Sequence, residues 1–73
     1  MLKTGKYRHF KGGEYEVLGV ALHSETQEPY VVYRALYGEG GLWIRPLSMF
    51  CETVVHSGRP QPRFAYLGPM ETA

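Results

Sequence analysis

The sequence predicts a small, mainly β domain: an SH3-like, partly open barrel of about five short antiparallel strands with one helical turn near residues 46–51. Apolar residues come in short runs that are rich in β-branched and aromatic side chains, which is typical of strands. Clusters of Gly, Pro, Ser and Glu separate these runs and indicate tight turns. A chain of 73 residues is the length of one domain, 1–73, and has room for only a small core. A three-stranded sheet packed against the helical turn is the alternative architecture.

The turn clusters set the bounds of the predicted elements. Strands are predicted at residues 7–10, 15–23, 30–37 and 42–45, with a further short strand at 52–56 and an edge strand at 63–67. The helical turn begins at Pro46, because proline suits a first helical position. The apolar side of the turn follows helical spacing and consists of Leu47, Phe50, Cys51 and Val54. Residues 57–62 are predicted to be a loop, and residues 1–5 and 68–73 to be loose termini.

The first of two hairpins joins the third and fourth predicted strands. If residues 38–41 close it, Arg34 lies opposite Arg45, and Tyr37 lies opposite Leu42. Side chains alternate between the faces of a strand, so Arg34, Trp43 and Arg45 share one face. The two arginines mark this face as the outer one.

The second hairpin joins the two strands before it through residues 24–29. This turn places His23 opposite Tyr30 and Gly19 opposite Arg34. Glu16 would then point into the core, so a bulge near residues 17–19 is expected to turn the start of the strand over. The predicted core consists of Leu18, Val20, Leu22, Val31, Tyr33, Ala35, Ile44, Leu47 and Phe50.

The predicted outer face contains the candidate partner-binding site. Its residues are Arg34, Trp43, Arg45, His23, Tyr30 and Gly19. Two arginines directly opposite each other are unfavourable unless an anion compensates their charge, which points to a ligand. The alternative is structural: a glutamate at position 14, 16 or 52 pairs with an arginine, or a guanidinium group stacks on Trp43.

Composition and motifs argue against several classes of function. Lys and Arg total 8 and Asp and Glu 7, so no overall field selects nucleic acid or an anionic membrane. Cys51 is the one cysteine, which excludes a disulfide within the chain and favours the reducing cytoplasm. No run is apolar enough for a membrane span or a signal peptide. The histidines and Cys51 are scattered, so we expect no metal, no cofactor and no catalytic constellation, and hence no enzyme.

The two leading hypotheses concern binding, and a small hydrolase or isomerase with His23 as the base is third, far behind them. A protein or peptide partner, held by the exposed arginine and tryptophan side chains, is the first hypothesis, and no membrane partner is expected. The alternative is an accessory nucleic-acid-binding domain, in which Trp43 or Tyr30 stacks on bases. The phosphates would then be held by Arg34, Arg45, Arg8 and Lys6.

Several stretches of the chain resemble a known family. They are residues 6–12, 15–21, 23–26, 31–38 and 42–47, continuing to Met49 and Phe50. Their order along the chain and their amino-acid sequences are similar to those of a bacterial family of small stand-alone domains, domain-of-unknown-function family 1653. The resemblance extends from Lys6 to about Phe64 and implies a bacterial protein, and it carries over no substrate, cofactor or catalytic residue.

Overall fold

The structure is a computed structural model that describes residues 2–70. In this part of the chain the elements are β1 (Gly5–His9), β2 (Glu14–Leu22), β3 (Pro29–Ala35), β4 (Leu42–Pro46), α1 (Leu47–Phe50), β5 (Thr53–His56), β6 (Arg59–Pro62) and β7 (Phe64–Gly68). Each predicted strand is present, with its ends within two residues of the predicted ones. The helical turn predicted near 46–51 is α1.

The strands form two antiparallel units. β1, β2, β3, β4 and β7 make one sheet in the order β4-β3-β2-β1-β7, and β5 pairs with β6 in a separate hairpin. The predicted fold class is therefore confirmed: the chain is mainly β, with one short helix. Over residues 2–70 the sheet is open, because its edge strands β4 and β7 pair only with β3 and β1.

Three parts of the predicted outline were wrong. Residues 57–62 are not a loop, because β6 pairs with β5 through a turn in which Ser57 and Gly58 both have positive φ. Gly5 and Gly68 belong to strands rather than to loose termini, and Gly5 is buried. Residue 1 and residues 71–73 of the predicted termini lie outside the described residues.

The core lies on one face of the sheet, which we call the inner face. Its buried cluster consists of Tyr7, Val17, Val31, Tyr33, Phe50 and Phe64. The helix α1 has four residues and no side-chain cap, so it is held by packing rather than by its own hydrogen bonds. The Phe50 ring anchors it: this ring stacks on Phe64 with centroids 4.1 Å apart and meets Tyr7 and Tyr33 edge-on, at 5.5 Å each.

The core prediction was partly correct. The predicted residues that are buried are Val31, Tyr33, Ala35 and Phe50, while Val20 and Leu47 are half-buried. The predictions for Leu18, Leu22 and Ile44 were wrong, since all three side chains are exposed. Sequence reasoning missed Tyr7 and Phe64, because β1 and β7 had not been assigned to the same inner face, and it missed Val17, because the exact position of the β2 bulge was not fixed.

A bulge in β2 explains the error at Leu18. Val17 lies opposite Tyr33 and Gly19 lies opposite Val32, which leaves Leu18 without a partner residue on β3. The bulge expected at residues 17–19 is thus confirmed. It turns Val17 into the core and Glu16 outward, where Glu16 lies opposite Arg34.

The predicted pairing of β3 with β4 was wrong by three residues. Arg34 lies opposite Leu42, and Arg45 lies opposite Val31. The connection is longer than residues 38–41, because the last hydrogen bond between the two chain segments is that of the Ala35 N–H to the Gly41 carbonyl, at 3.0 Å, which leaves residues 36–40 as the turn. A slip by an odd number of residues moves every side chain of one strand to the other face. This slip also explains why Ile44 lies outside the core.

The predicted pairing of β2 with β3 was wrong by two residues. Tyr30 lies opposite Ala21 rather than opposite His23, and Gly19 lies opposite Val32 rather than opposite Arg34. His23 belongs to the turn, where its Nδ1 accepts hydrogen bonds from the Glu25 and Thr26 N–H groups. An even slip preserves the faces, so Val20 and Val31 still share the inner face.

Candidate partner-binding site

Arg34 lies on the outer face of the sheet, opposite to the core. Its Nε donates to Glu16 Oε1 at 2.8 Å, across the β2–β3 pair. On the same face Glu14 accepts from Arg8 at 2.7 Å and lies 3.2 Å from the Lys6 ammonium group. These two cations hold the pKa of Glu14 below its usual value, with the Arg8 hydrogen bond as the largest cause. The structural alternative from the sequence is confirmed here, because Glu16 neutralises Arg34.

Trp43 and Arg45 lie on the inner side of the sheet instead. They are opposite Tyr33 and Val31, two buried residues of the inner face. The prediction that Arg34 shares one face with Trp43 and Arg45 was therefore wrong, and the physical reason is the three-residue slip between β3 and β4.

The remaining predicted site residues accompany Arg34 on the outer face or beside it. Gly19 and Tyr30 lie on this face, opposite Val32 and Ala21. His23 lies at the end of the sheet, with its ring centroid 6.0 Å from that of Tyr30. The structure thus divides the predicted site into two groups on opposite sides of the sheet.

A shallow cleft on the inner side holds the Trp43 and Arg45 group. It has a volume of about 210 Å³ and is lined by Tyr15, Tyr33, Tyr37, Trp43 and Arg45. We call this the aromatic cleft. None of its lining residues is acidic, and more than half of the Trp43 surface is exposed to solvent. Sequence reasoning missed Tyr15 and Tyr37, because only the correct register of β2, β3 and β4 brings them beside Trp43.

Arg45 supplies the positive charge of the aromatic cleft. Its Nε donates to the Tyr33 hydroxyl at 3.3 Å, and its Cζ lies 5.6 Å from the centroid of the Phe64 ring. These contacts hold the guanidinium group in place. Within residues 2–70, Arg45 forms no ion pair with a carboxylate, unlike Arg8, Arg34 and Arg63.

The region around Arg45 is electropositive. The nearby ring of His9 has a pKa below its usual value, first because of burial and then because of the positive charges of Arg45, Arg63 and Lys11. Of these cations, Arg63 is paired with Glu52 at 2.8 Å. Arg45 is the one of these cations that lines the aromatic cleft, so a negatively charged group there would be attracted to its guanidinium group.

Two tyrosine hydroxyls close one side of the aromatic cleft. The hydroxyls of Tyr15 and Tyr37 are 2.5 Å apart and share a hydrogen bond. Burial, and then this hydrogen bond, raise the pKa of Tyr15 to about 12. Whichever of the two hydroxyls accepts this hydrogen bond keeps its own proton free for a ligand.

The Tyr15–Tyr37 pair predicts a pH dependence of stability. The folded chain holds the Tyr15 proton up to a pKa of about 12, whereas the usual value is 10.0. The stability that Tyr15 contributes is therefore complete below about pH 10 and is lost as the pH rises toward about 12. Tyr37→Phe removes the hydrogen bond and should lower the pKa of Tyr15, measured from the NMR shift of its ring Cζ. An unchanged titration in Tyr37→Phe would show that the hydrogen bond has no such effect.

The described residues give little support for a metal site or a membrane-spanning helix, and they place the Cys51 thiol at the surface. Within residues 2–70, no three His, Cys, Asp or Glu side chains come together in a group that could hold a metal ion. Cys51 is exposed, so the expectation that it packs on the apolar side of the helical turn was wrong. The four-residue α1 is the one helix of this region, and no helix there is long and apolar enough to cross a membrane.

Comparison with known proteins places the chain in one family. Residues 5–66 match the model of DUF1653, which is described as a protein of unknown function. A crystal structure of a protein belonging to DUF1653, from Bordetella bronchiseptica, is also similar: the two sequences are 43% identical and the TM-score is 0.88. The similarity covers 99% of this chain and 95% of that chain. No curated protein matches the sequence.

Proposed function

Because this chain belongs to the DUF1653 family, which has no described function, we propose from its own surface that it is a binding module for a protein or peptide partner. The partner would be held at the aromatic cleft, with Trp43 and Arg45 as the main contacts. Arg34, on the outer face, is not part of this site.

One observation carries the proposal: Arg45 is a fixed, half-buried cation without a carboxylate partner among residues 2–70, and it lies beside the exposed Trp43 indole. Partly removing a guanidinium group from water costs free energy, which a carboxylate of the partner would offset. Tryptophan and arginine are also enriched among the residues that contribute most of the binding free energy at protein interfaces.

The distribution of charge favours a peptide over nucleic acid. Nucleic-acid binding is built from many phosphate contacts, each of which needs a cation. The cations of the outer face are already paired with Glu14 and Glu16, and the formal net charge of the chain is only +1. A single guanidinium group in a cleft of about 210 Å³ fits one carboxylate side chain better than a polyanion.

We further propose that the protein acts in the bacterial cytoplasm. Its one cysteine, Cys51, is exposed, and an exposed thiol stays reduced most readily in a reducing compartment. The similar structure from Bordetella bronchiseptica supports a bacterial source. Fractionation of cells that express the tagged full chain would test the location.

The binding proposal predicts which arginine contributes to peptide affinity. Peptides selected from a random displayed library on the wild-type protein should bind at least about tenfold more weakly to Arg45→Gln and to Trp43→Ala. Arg34→Gln is the matched control, since it removes the same charge from the opposite face, and its affinity should stay within about twofold. Trp43 is the one tryptophan, so its fluorescence reports binding directly in every variant that retains it.

Two results would contradict the binding proposal. One is a loss of peptide affinity in Arg34→Gln with no loss in Arg45→Gln. The other is tight binding of single-stranded oligothymidylate with a steep dependence on salt, which would favour the nucleic-acid alternative, in which bases stack on Trp43.

A further inference from the structure

The strand β4 is an edge of the sheet with an unpaired side. Its neighbour is β3, and the Ala35 N–H donates to the Gly41 carbonyl at 3.0 Å just before β4 begins. Hydrogen-bonded and non-bonded pairs alternate along an antiparallel ladder, so Trp43 and Arg45 bond to β3. The N–H and C=O groups of Leu42 and Ile44 therefore point away from the sheet.

The side chains of β4 are also uncovered. Leu42, Trp43 and Ile44 are consecutive, and they are 66%, 58% and 64% exposed. Trp43 lies on the inner side, at the aromatic cleft, while Leu42 and Ile44 lie on the outer face. An exposed apolar edge strand is a template for pairing with another strand.

The other edge strand of the sheet, β7, is less suited to pairing with an additional strand. The pairing of β7 with β1 is interrupted by a register shift between Lys6 and Tyr7. The strand ends at Gly68, whose φ is +137°, and Pro69 follows, which has no N–H to donate. Bulges and prolines are devices that prevent edge pairing. Along β4, the residues before Pro46 pair with β3 without a register shift.

We infer that the partner of the proposed binding module is an extended segment that adds to β4 as a further strand, with acidic side chains on the face that meets Arg45 and apolar side chains on the other. This inference rests on the proposed function and specifies its partner. The backbone of the segment would bond to Leu42 and Ile44, which is the β-augmentation mode of peptide recognition. Its acidic side chains would reach the aromatic cleft, and its apolar side chains would pack on Leu42 and Ile44.

Charge argues against a second copy of the chain as the occupant. The strand β4 has one charged residue, Arg45, and it has no carboxylate. A second β4 would bring another arginine to the same edge without any negative charge to compensate it. A strand from a different protein that carries a carboxylate would supply that charge. Arg45 thus selects for a foreign acidic strand and against self-pairing.

Amide hydrogen exchange tests the strand addition. The probe is a blocked peptide, Thr-Val-Glu-Val-Glu-Val-Thr, titrated into the full chain and followed by Trp43 fluorescence. At saturation, exchange of the Leu42 and Ile44 amides should slow about tenfold or more, because they gain hydrogen bonds. The Trp43 amide already donates to β3 and should change much less.

Three comparisons separate backbone pairing from side-chain contact. A peptide with lysine in place of glutamate should bind at least about tenfold more weakly. N-methylation of alternate residues on the pairing edge of the probe should abolish binding, although every side chain remains. Ile44→Pro removes the outward N–H of β4 and should weaken binding while leaving the β3–β4 bonds intact, with Ile44→Thr as the control that keeps the N–H.

The outcomes distinguish the inference of strand addition from the proposed binding function on which it rests. If selected peptides depend on Arg45 and Trp43 but leave the Leu42 and Ile44 amides unprotected, strand addition is wrong and the binding module stands. If no peptide depends on Arg45 and Trp43, both fail. No saturable binding of the probe up to about 1 mM, or protection of Ile44 through dimers of the free chain in the ultracentrifuge, would overturn the inference of an acidic foreign strand.

Discussion

Phe50→Ala is expected to lower the free energy of unfolding by about 3–5 kcal/mol, which is the usual cost of emptying a buried phenylalanine site. Phe50 is only 1% exposed and touches three other core rings, those of Tyr7, Tyr33 and Phe64. It also anchors α1, which is too short to be stable alone. A domain of this size has a total stability of about 5–10 kcal/mol, so the variant should be close to unfolding at 25 °C.

Urea denaturation followed by circular dichroism measures this effect. Met49→Ala is the matched control, because Met49 lies beside Phe50 in the same helical turn and is exposed. Its cost should be below about 1 kcal/mol. Equal losses in the two variants would mean that α1 does not anchor the core through Phe50.

Gly5→Ala should also be strongly destabilising and lower the free energy of unfolding by about 2 kcal/mol or more. Gly5 has a φ of +133°, a conformation that residues with a side chain rarely adopt. A Cβ atom at this position would lie 2.5 Å from the Gly68 carbonyl oxygen, closer than a Cβ atom can approach another heavy atom to which it is not bonded. The first strand and the last would have to separate at Gly5 and Gly68, although both strands are tied to the core, β1 through Tyr7 and β7 through Phe64.

The same substitution at Gly19 is the control for Gly5→Ala. A Cβ atom at Gly19 would meet no atom within 4 Å, and the φ angle there is not in the left-handed region. Gly19→Ala should therefore change the free energy of unfolding by less than about 1 kcal/mol. If Gly5→Ala also lowered the free energy of unfolding by less than about 1 kcal/mol, β1 and β7 would not lie as close together as they do in the structure.

The sequence was informative about the elements because they depend on local patterns. Alternating apolar residues and turn clusters are properties of short segments, and every predicted strand is present. The burial conflict at Glu16 even indicated the β2 bulge, since a buried carboxylate without a partner is unfavourable. The β5–β6 hairpin was missed because the Pro-rich sequence of β6 resembles a loop, although a Ser57–Gly58 turn can close a hairpin.

The register was less predictable because it depends on where each turn closes. Leu36 and Tyr37 have the character of strand residues, yet Leu36 bonds to β2 and Tyr37 bonds to the Tyr15 hydroxyl. Nothing in the local pattern reveals these two distant contacts. The prediction that Trp43 and Arg45 share one face followed from alternation within a single strand, and it is correct. The prediction that Arg34 shares this face depended on where the turn closes, and it was wrong.

The NMR signals of the arginine Nε–H groups test the location of the site most directly. Titration with the selected peptide should shift the Arg45 signal saturably, together with the indole N–H signal of Trp43, because both side chains line the aromatic cleft. The Arg34 signal should stay in place, since Glu16 already accepts from its Nε on the opposite face. A saturable shift of Arg34 with Arg45 and Trp43 unchanged would contradict a binding site at the aromatic cleft.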